Sequence, residues 1–296
     1  MRLLVRPLLV GCLAVCVAQG QAANGVPNRL TAGEKEAGWE LLFDGQTGHG
    51  WSSPSSDHFP DGFWIVEDGF LKGGRVGNRA TDLTTVKRYR NFELTFEWKI
   101  APGGNSGVKY FVGRSAKLVF EDGKTPTPEG ETTPGPNAFF SETTSGFEYQ
   151  MIDDESHPDK DNAKTRSGSL YQFFGPTEKQ ARPAGQLNQS RIVVKGTGIE
   201  HWLNGIMTAS MDWTSEEFRS ALDHVPGRSR RVMDYLNQDC PIALQSHTES
   251  NPESVRGLHG LPQDSRTTSP RLEHFHDSRS APLDTSARFP ARPNAA

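Results

Sequence analysis

Glu148 and Gln150 stand two residues apart in the run Phe147-Glu148-Tyr149-Gln150-Met151-Ile152-Asp153-Asp154. In a strand, that spacing puts both on one face with Ile152 and turns Phe147, Tyr149 and Met151 to the other. If the aromatic face meets the core, a carboxylate and an amide stand side by side on an open sheet face. Such a pair offers the acceptors and donors that sugar hydroxyls require; the plainer reading is a solvated outer face. Upstream, the Gly-rich run Gly103-Gly104-Asn105-Ser106-Gly107-Val108-Lys109-Tyr110 brings Asn105, Ser106 and Lys109 close together at the entry to a strand. It reads equally as a β-turn followed by an edge-strand lysine. Downstream, residues 153–162 hold six acidic or amide side chains in ten. Asp153 and Asp159 are the candidates there for oxygen ligands to a divalent cation such as calcium, although the EF-hand spacing and its central glycine are missing. His157, in the same turn, has a side chain that titrates near neutrality and suits binding or proton transfer. His201, in Glu200-His201-Trp202-Leu203-Asn204-Gly205, either faces the same cleft as Glu148 or is a hydrogen-bonded sheet histidine.

The usual catalytic signatures are not written in this chain: it has no Gly-x-Ser-x-Gly elbow, phosphate loop, Gly-x-Gly-x-x-Gly or His-Glu-x-x-His, and no cysteine pair for zinc. Spacing also disfavours an ordinary retaining glycosidase, whose two carboxyls sit about 5 Å apart. Glu148 and Asp154 share a face, but along a strand they would be roughly 20 Å apart at about 3.3 Å per residue. A formal charge of -4 over 296 residues argues against a phosphate-backbone partner, so no nucleic acid is expected.

The elements that must position these residues read as strands. Phe92, Leu94, Phe96, Trp98 and Ile100 alternate with Glu93, Thr95, Glu97 and Lys99, the period-two pattern of a strand with one wet face. Phe63–Val66 and Phe70–Lys72 flank Asp68-Gly69, and Glu200–Ala209 turns at Asn204-Gly205, both hairpin signals. Further strands are expected over 39–43, 108–112, 147–153, 169–174 and 191–195. The one helix expected begins at Thr214, with Glu217 in capping-box position. Many short strands and one helix predict a single all-β sandwich of about 220 residues. Residues 114–146, rich in Pro and Gly, read as a long loop, either a lid or disordered.

The chain's ends read differently. Arg2, Arg6 and the apolar run Leu8–Ala18 precede small residues at Ala18–Ala23, the pattern of an export signal over 1–22. The mature protein is therefore expected to be periplasmic or extracellular, with no transmembrane span. Leu9-Val10-Gly11-Cys12 resembles a lipid-acceptor site, but the apolar stretch before Cys12 is short for one. From Ser246 to Ala296 there is no Ile, Trp, Tyr or Lys, and that composition predicts no strand or helix.

Taken in order, several segments resemble the 3-keto-disaccharide hydrolase family. They are Trp39–Gly45, Trp64–Gly74, Phe92–Lys99, Asn105-Ser106-Gly107, Phe147–Asp153, His157-Pro158-Asp159, Gly168–Tyr171 and Ile199–Gly205. The match spans about residues 36–247. It implies a concanavalin A-like jelly roll of two antiparallel sheets, exported and acting on glycosides whose C3 hydroxyl is already a ketone. Such a ketone acidifies the C2 proton, so a single base can expel the C1 substituent by elimination before water adds. On that reading Glu148 is the base, Lys109 and His201 stabilise the enolate, and Asn105, Gln150 and His157 bind the carbohydrate. The rival reading is a lectin-like module that binds sugar without chemistry. The family resemblance also implies a closing strand of the type Val-x-Phe-Arg-Asn-Ile-Arg after Ile242–His247. That strand is not evident here, and the polar segment 248–296 reads as a disordered or frame-shifted tail.

Overall fold

The computed structural model describes residues 27–262, except for 75, 77–79, 121–137, 226–229 and 248–253, and only the backbone of 114–120 and 138–143. The expected export signal lies outside the described residues. Thirteen strands among the described residues form two antiparallel sheets. The larger sheet contains β1 (Glu40–Leu41), β3 (Trp64–Glu67), β4 (Phe70–Gly73), β6 (Phe92–Lys99), β9 (Asn188–Lys195), β10 (Gly198–Leu203), β11 (Ile206–Asp212) and β13 (Ser254–Pro262). Its order is β11-β10-β9-β6-β13-β4-β3, with β1 paired to β13. The smaller sheet contains β2 (Trp51–Ser52), β5 (Leu83–Thr85), β7 (Asn105–Phe120), β8 (Ala138–Ile152) and β12 (Ala243–Leu244), in the order β2-β5-β12-β7-β8.

The alternation in the sequence decides which faces meet. On β6, Phe92, Leu94, Phe96 and Trp98 are buried while the intervening residues are half-buried. Val108 and Tyr110 of β7 and Phe147, Tyr149 and Met151 of β8 belong to the same core. Aromatic rings fill this layer edge to face, as with Phe96 on Tyr149 at 5.6 Å between centroids. The two expected hairpins form, and both turn residues of each take positive φ: Asp68 and Gly69, Asn204 and Gly205.

Four expectations are corrected. The segment 114–146 is not one long loop, because β7 and β8 run on as a paired ladder from Gly113↔Ser145 to Phe120↔Ala138. The prolines and glycines that suggested a loop are concentrated in 121–137. Ser169–Phe174 is not a strand: Gln172 has φ 71°, and the segment folds back so that Leu170 bridges both Tyr149 and Phe174. Helix α2 (Glu216–Leu222) is capped by Ser215, which accepts from the Phe218 amide, because Thr214 turns its hydroxyl to Asp212. The capping box belongs to a second helix, α1 (Ala32–Glu36), formed by Thr31 and Glu34; five residues are too few for apolar periodicity to show.

The largest correction concerns the C-terminal segment. Residues 254–262 are a strand inside the larger sheet, paired with β6 along its length and with β4 and β1 on the other side. Val255 and Leu258 are fully buried in the core. They are three apart because a bulge between Arg256 and His259, with Gly257 at φ 60°, breaks the period-two pattern. This strand fills the place between β6 and β4 in the larger sheet, and the expected tail boundary at 248 is too early. Residues 263–296 lie outside the described residues.

Candidate active site

The face of the smaller sheet turned away from the core carries the polar residues. Cross-strand pairing sets Lys109 opposite Glu148, Gly107 opposite Gln150 and Asn105 opposite Ile152. Ala243 of β12 pairs with Lys109 on the other side and with Thr84 of β5. Alternation carries Asp82 and Gln245 onto the same face. The Gly-rich entry to β7 has a steric cause: a Cβ on Gly107 would lie 2.8 Å from Glu148 Cγ and 2.9 Å from its Oε1. Only glycine lets the Glu148 side chain lie across the neighbouring strand.

Lys109 is buried, and so is Asp82, whose side chain is 1% exposed. Asp82 Oδ2 accepts from Lys109 Nζ at 3.2 Å, from the Thr144 amide at 2.9 Å and from the Thr144 hydroxyl at 2.7 Å. Its Oδ1 accepts from the Ser246 amide at 3.2 Å. Lys109 also donates to the Thr144 carbonyl at 3.2 Å. The Gln245 amide takes the orientation in which its oxygen meets a donor and its nitrogen acceptors. The oxygen accepts from Lys109 Nζ at 3.0 Å, and the nitrogen donates to Glu148 Oε1 at 3.2 Å and to His247 Nε2 at 2.8 Å. One chain of contacts thus runs from a buried carboxylate through a buried ammonium and an amide to the half-buried Glu148.

The Lys109 ammonium is fully engaged in this arrangement. An ammonium has three protons, and here Asp82, Thr144 and Gln245 accept all three. Lys109 therefore holds the Gln245 oxygen, and the Gln245 nitrogen in turn meets Glu148. Gln150 shares the face but is buried, with its backbone bonded to Gly168 and Ser169 along the β8 edge. Asn105 is half-buried, and its Oδ1 has no hydrogen-bond partner among the described residues. Sequence reasoning missed Asp82, Thr144, Gln245 and His247. Alternation after Ala243 could have placed Gln245 and His247 on this face, whereas nothing local marks Asp82.

His201 is not on this face. The β10 pattern turns Ile199, His201 and Leu203 inward, and the imidazole is fully buried with Nε2 2.8 Å from Tyr110 Oη. Its ring lies 4.8 Å from that of Tyr149. Burial pushes its pKa down to about 3, against weaker support from the backbone of Gly168 and Ser169. A free histidine titrates near 6.5. As pH falls from about 6.5 toward 3, the unfolded chain takes up a proton that the folded chain refuses, so stability is lost across that window and unchanged above it. Urea unfolding at pH 7.5 and 4.5 checks this: His201→Gln is expected to shrink the stability difference between the two pH values by about 2–3 kcal/mol. Equal differences in the two proteins would mean that the imidazole is solvated.

His157 is outside the cluster. Its Nδ1 accepts from the Asp159 amide at 3.1 Å and caps the 3-10 turn Pro158–Asp161. Asp153 braces two segments, accepting from the Gly103 amide at 2.8 Å and the Glu155 amide at 3.0 Å. Burial raises its pKa, but those amides and Ser156 outweigh it and leave the carboxyl below its ordinary value. Asp154 accepts from the Ser167 amide, and Asp161 pairs with Lys160 and Lys179. Within this turn the Asp153 carboxylate is taken up by backbone amides and Asp161 by lysines. Among the described residues, no three His, Cys, Asp or Glu side chains converge as a metal site.

Two antiparallel sheets packed face to face make a jelly-roll-like β-sandwich. The chain matches the 3-keto-alpha-glucoside-1,2-lyase-like domain over residues 38–256 and belongs to that family. It is 34% identical over 173 residues to a 3-keto-disaccharide hydrolase of Bacteroides thetaiotaomicron, a match covering 55% of this chain. The matched stretch spans about half of that relative, 54% of its length. The crystal structure of a candidate glycosyl hydrolase from Parabacteroides distasonis superposes with a TM-score of 0.62 at 28% identity, over 81% of this chain and all of the other. That likeness shows the two-sheet fold.

Proposed function

We propose that this protein is an exported enzyme that cleaves 3-keto-glycosides, with Glu148 as the base. The observation that carries the reading is the single carboxylate Glu148, half-buried on the outer sheet face and held by Gln245. Asp82, the neighbouring carboxylate, has both oxygens occupied and is buried, so among the described residues one base is available here and not an acid–nucleophile pair. One base suffices for a 3-keto sugar. Glu148 takes the C2 proton, the electron pair forms the enolate of the C3 ketone, and collapse of the enolate breaks the C1–O bond, the aglycone oxygen leaving with the proton that Glu148 took. Water then adds across the C1–C2 double bond, returning a proton to C2 and giving net hydrolysis. Asn105, half-buried on this face with its Oδ1 unpartnered among the described residues, is the side chain placed to meet the sugar's oxygens. Family membership and the named relative support a carbohydrate substrate, and the signal-like pattern of residues 1–22 supports export.

Incubating the protein with a 3-keto-glucoside and with its unoxidised parent tests the reading. Release of the aglycone from the oxidised sugar alone is the expected result. Binding of the parent without turnover of either sugar would replace the enzyme by a lectin-like module.

A further inference from the structure

A second candidate site lies at the other end of the smaller sheet. There β2, its outer strand, and β3, the outer strand of the larger sheet, border a cavity of about 840 Å³. None of its lining residues belongs to the cluster around Lys109 and Glu148. The volume is within the range of about 300–1,000 Å³ common for small-ligand sites.

The cavity is amphipathic. The indoles of Trp51 and Trp64 are buried in its floor, and their N–H groups are spent inward on the carbonyls of Leu42 at 2.7 Å and Thr81 at 2.8 Å. At 2% and 0% exposed, they back the floor from beneath, and the accessible apolar surface comes from the residues around them. Phe59 forms a wall packed so closely on Gly48 that a Cβ there would lie 2.2 Å from the ring. Ile65 and Val86 add exposed apolar surface, 47% and 61% accessible, although large hydrophobics are seldom left open elsewhere among the described residues. Around this apolar lining stand Asp57, Asp61, His49 and His58. Among the described residues, none of these four side chains is engaged in a hydrogen bond or an ion pair. Among the described residues, no lysine or arginine lines the cavity.

The surrounding loop is held in place by its own backbone. Asp44 accepts from the amides of Gln46 and Thr47, Val86 donates to the Gly50 carbonyl at 2.9 Å, and Ser53 donates to the His58 carbonyl at 3.1 Å. Hydrocarbon walls under a rim of uncommitted acceptors match a pyranose, whose C–H face is apolar and whose equatorial hydroxyls are donors. The two carboxylates, Asp57 and Asp61, disfavour an anionic sugar.

We propose that this cavity is a second carbohydrate site, which holds a neutral, unoxidised saccharide apart from the reactive face. The ligand class comes from the cavity's own chemistry, so the proposal stands or falls separately from the cleavage reaction. Isothermal titration of the full chain with cellobiose, with maltose and with a glucuronic acid-containing disaccharide tests it, alongside turnover of a 3-keto-glucoside. A neutral disaccharide is expected to bind saturably and the uronic disaccharide at least about tenfold more weakly. Phe59→Ala and the isosteric Asp61→Asn should each weaken neutral-sugar binding about tenfold while leaving turnover unchanged, and Glu148→Gln should leave the binding intact. Three results would overturn the proposal: no saturable binding of either neutral disaccharide, equal binding of the uronic one, or loss of binding in Glu148→Gln. Loss of turnover alone would count against the cleavage reading and leave this site standing.

Discussion

Asp82→Ala is expected to destabilise the protein by about 3–5 kcal/mol, because it strands the Lys109 ammonium inside the sheet without its counter-charge. Lys109 and Asp82 are 7% and 1% exposed, so water cannot take over as the partner. The same change removes the acceptor for the Thr144 amide and hydroxyl and for the Ser246 amide. For a domain of this size the melting temperature should fall by roughly 6–20 °C. Calorimetry on the single and double variants separates charge from packing. Asp82→Ala combined with Lys109→Met should recover much of the loss, since removing both charges leaves no buried ion unpaired. If the double variant melts as low as Asp82→Ala alone, the ion pair is not what holds β5, β7 and β8 together on this face.

Glu148→Gln should lower turnover of a 3-keto-glucoside by about 10²–10⁴-fold, the usual contribution of a positioned base, with the melting temperature nearly unchanged. The substitution keeps the shape that packs over Gly107 and leaves an oxygen to accept from Gln245. A loss of stability therefore cannot account for the loss of rate. Steady-state kinetics on both proteins, with their melting curves, checks it; a variant within threefold of the parent would remove Glu148 as the base and leave the Asp82 result untouched.

These two expectations draw on different sources. The outward face of Glu148 is legible in the sequence alone, because a strand's period of two sorts Phe147, Tyr149 and Met151 from Glu148 and Gln150 whatever the strand pairs with. The same local rule gave β6 and the two hairpin turns, where Asp68-Gly69 and Asn204-Gly205 supply positive φ. It failed where tertiary structure breaks the period. The bulge at Gly257 hid Val255 and Leu258 in a segment that composition alone marks as a tail. The paired continuation of β7 and β8 was hidden by the Pro- and Gly-rich residues between them.

The site divides along the same line. The sequence by itself determined which side chains of one strand share a face, and so set Glu148 apart from the core and gave Lys109 a place near it. Only the tertiary structure decided that Asp82, 27 residues before Lys109 in the chain, is its counter-ion and that Gln245 lies between Lys109 and Glu148. It also turned His201 into the core, since two faces of β10 are available and only packing against Tyr110 and Tyr149 settles which one is inside. Periodicity is a property of neighbours along the chain, whereas the charge pairing, burial and strand order that make this site are contacts between residues far apart in it.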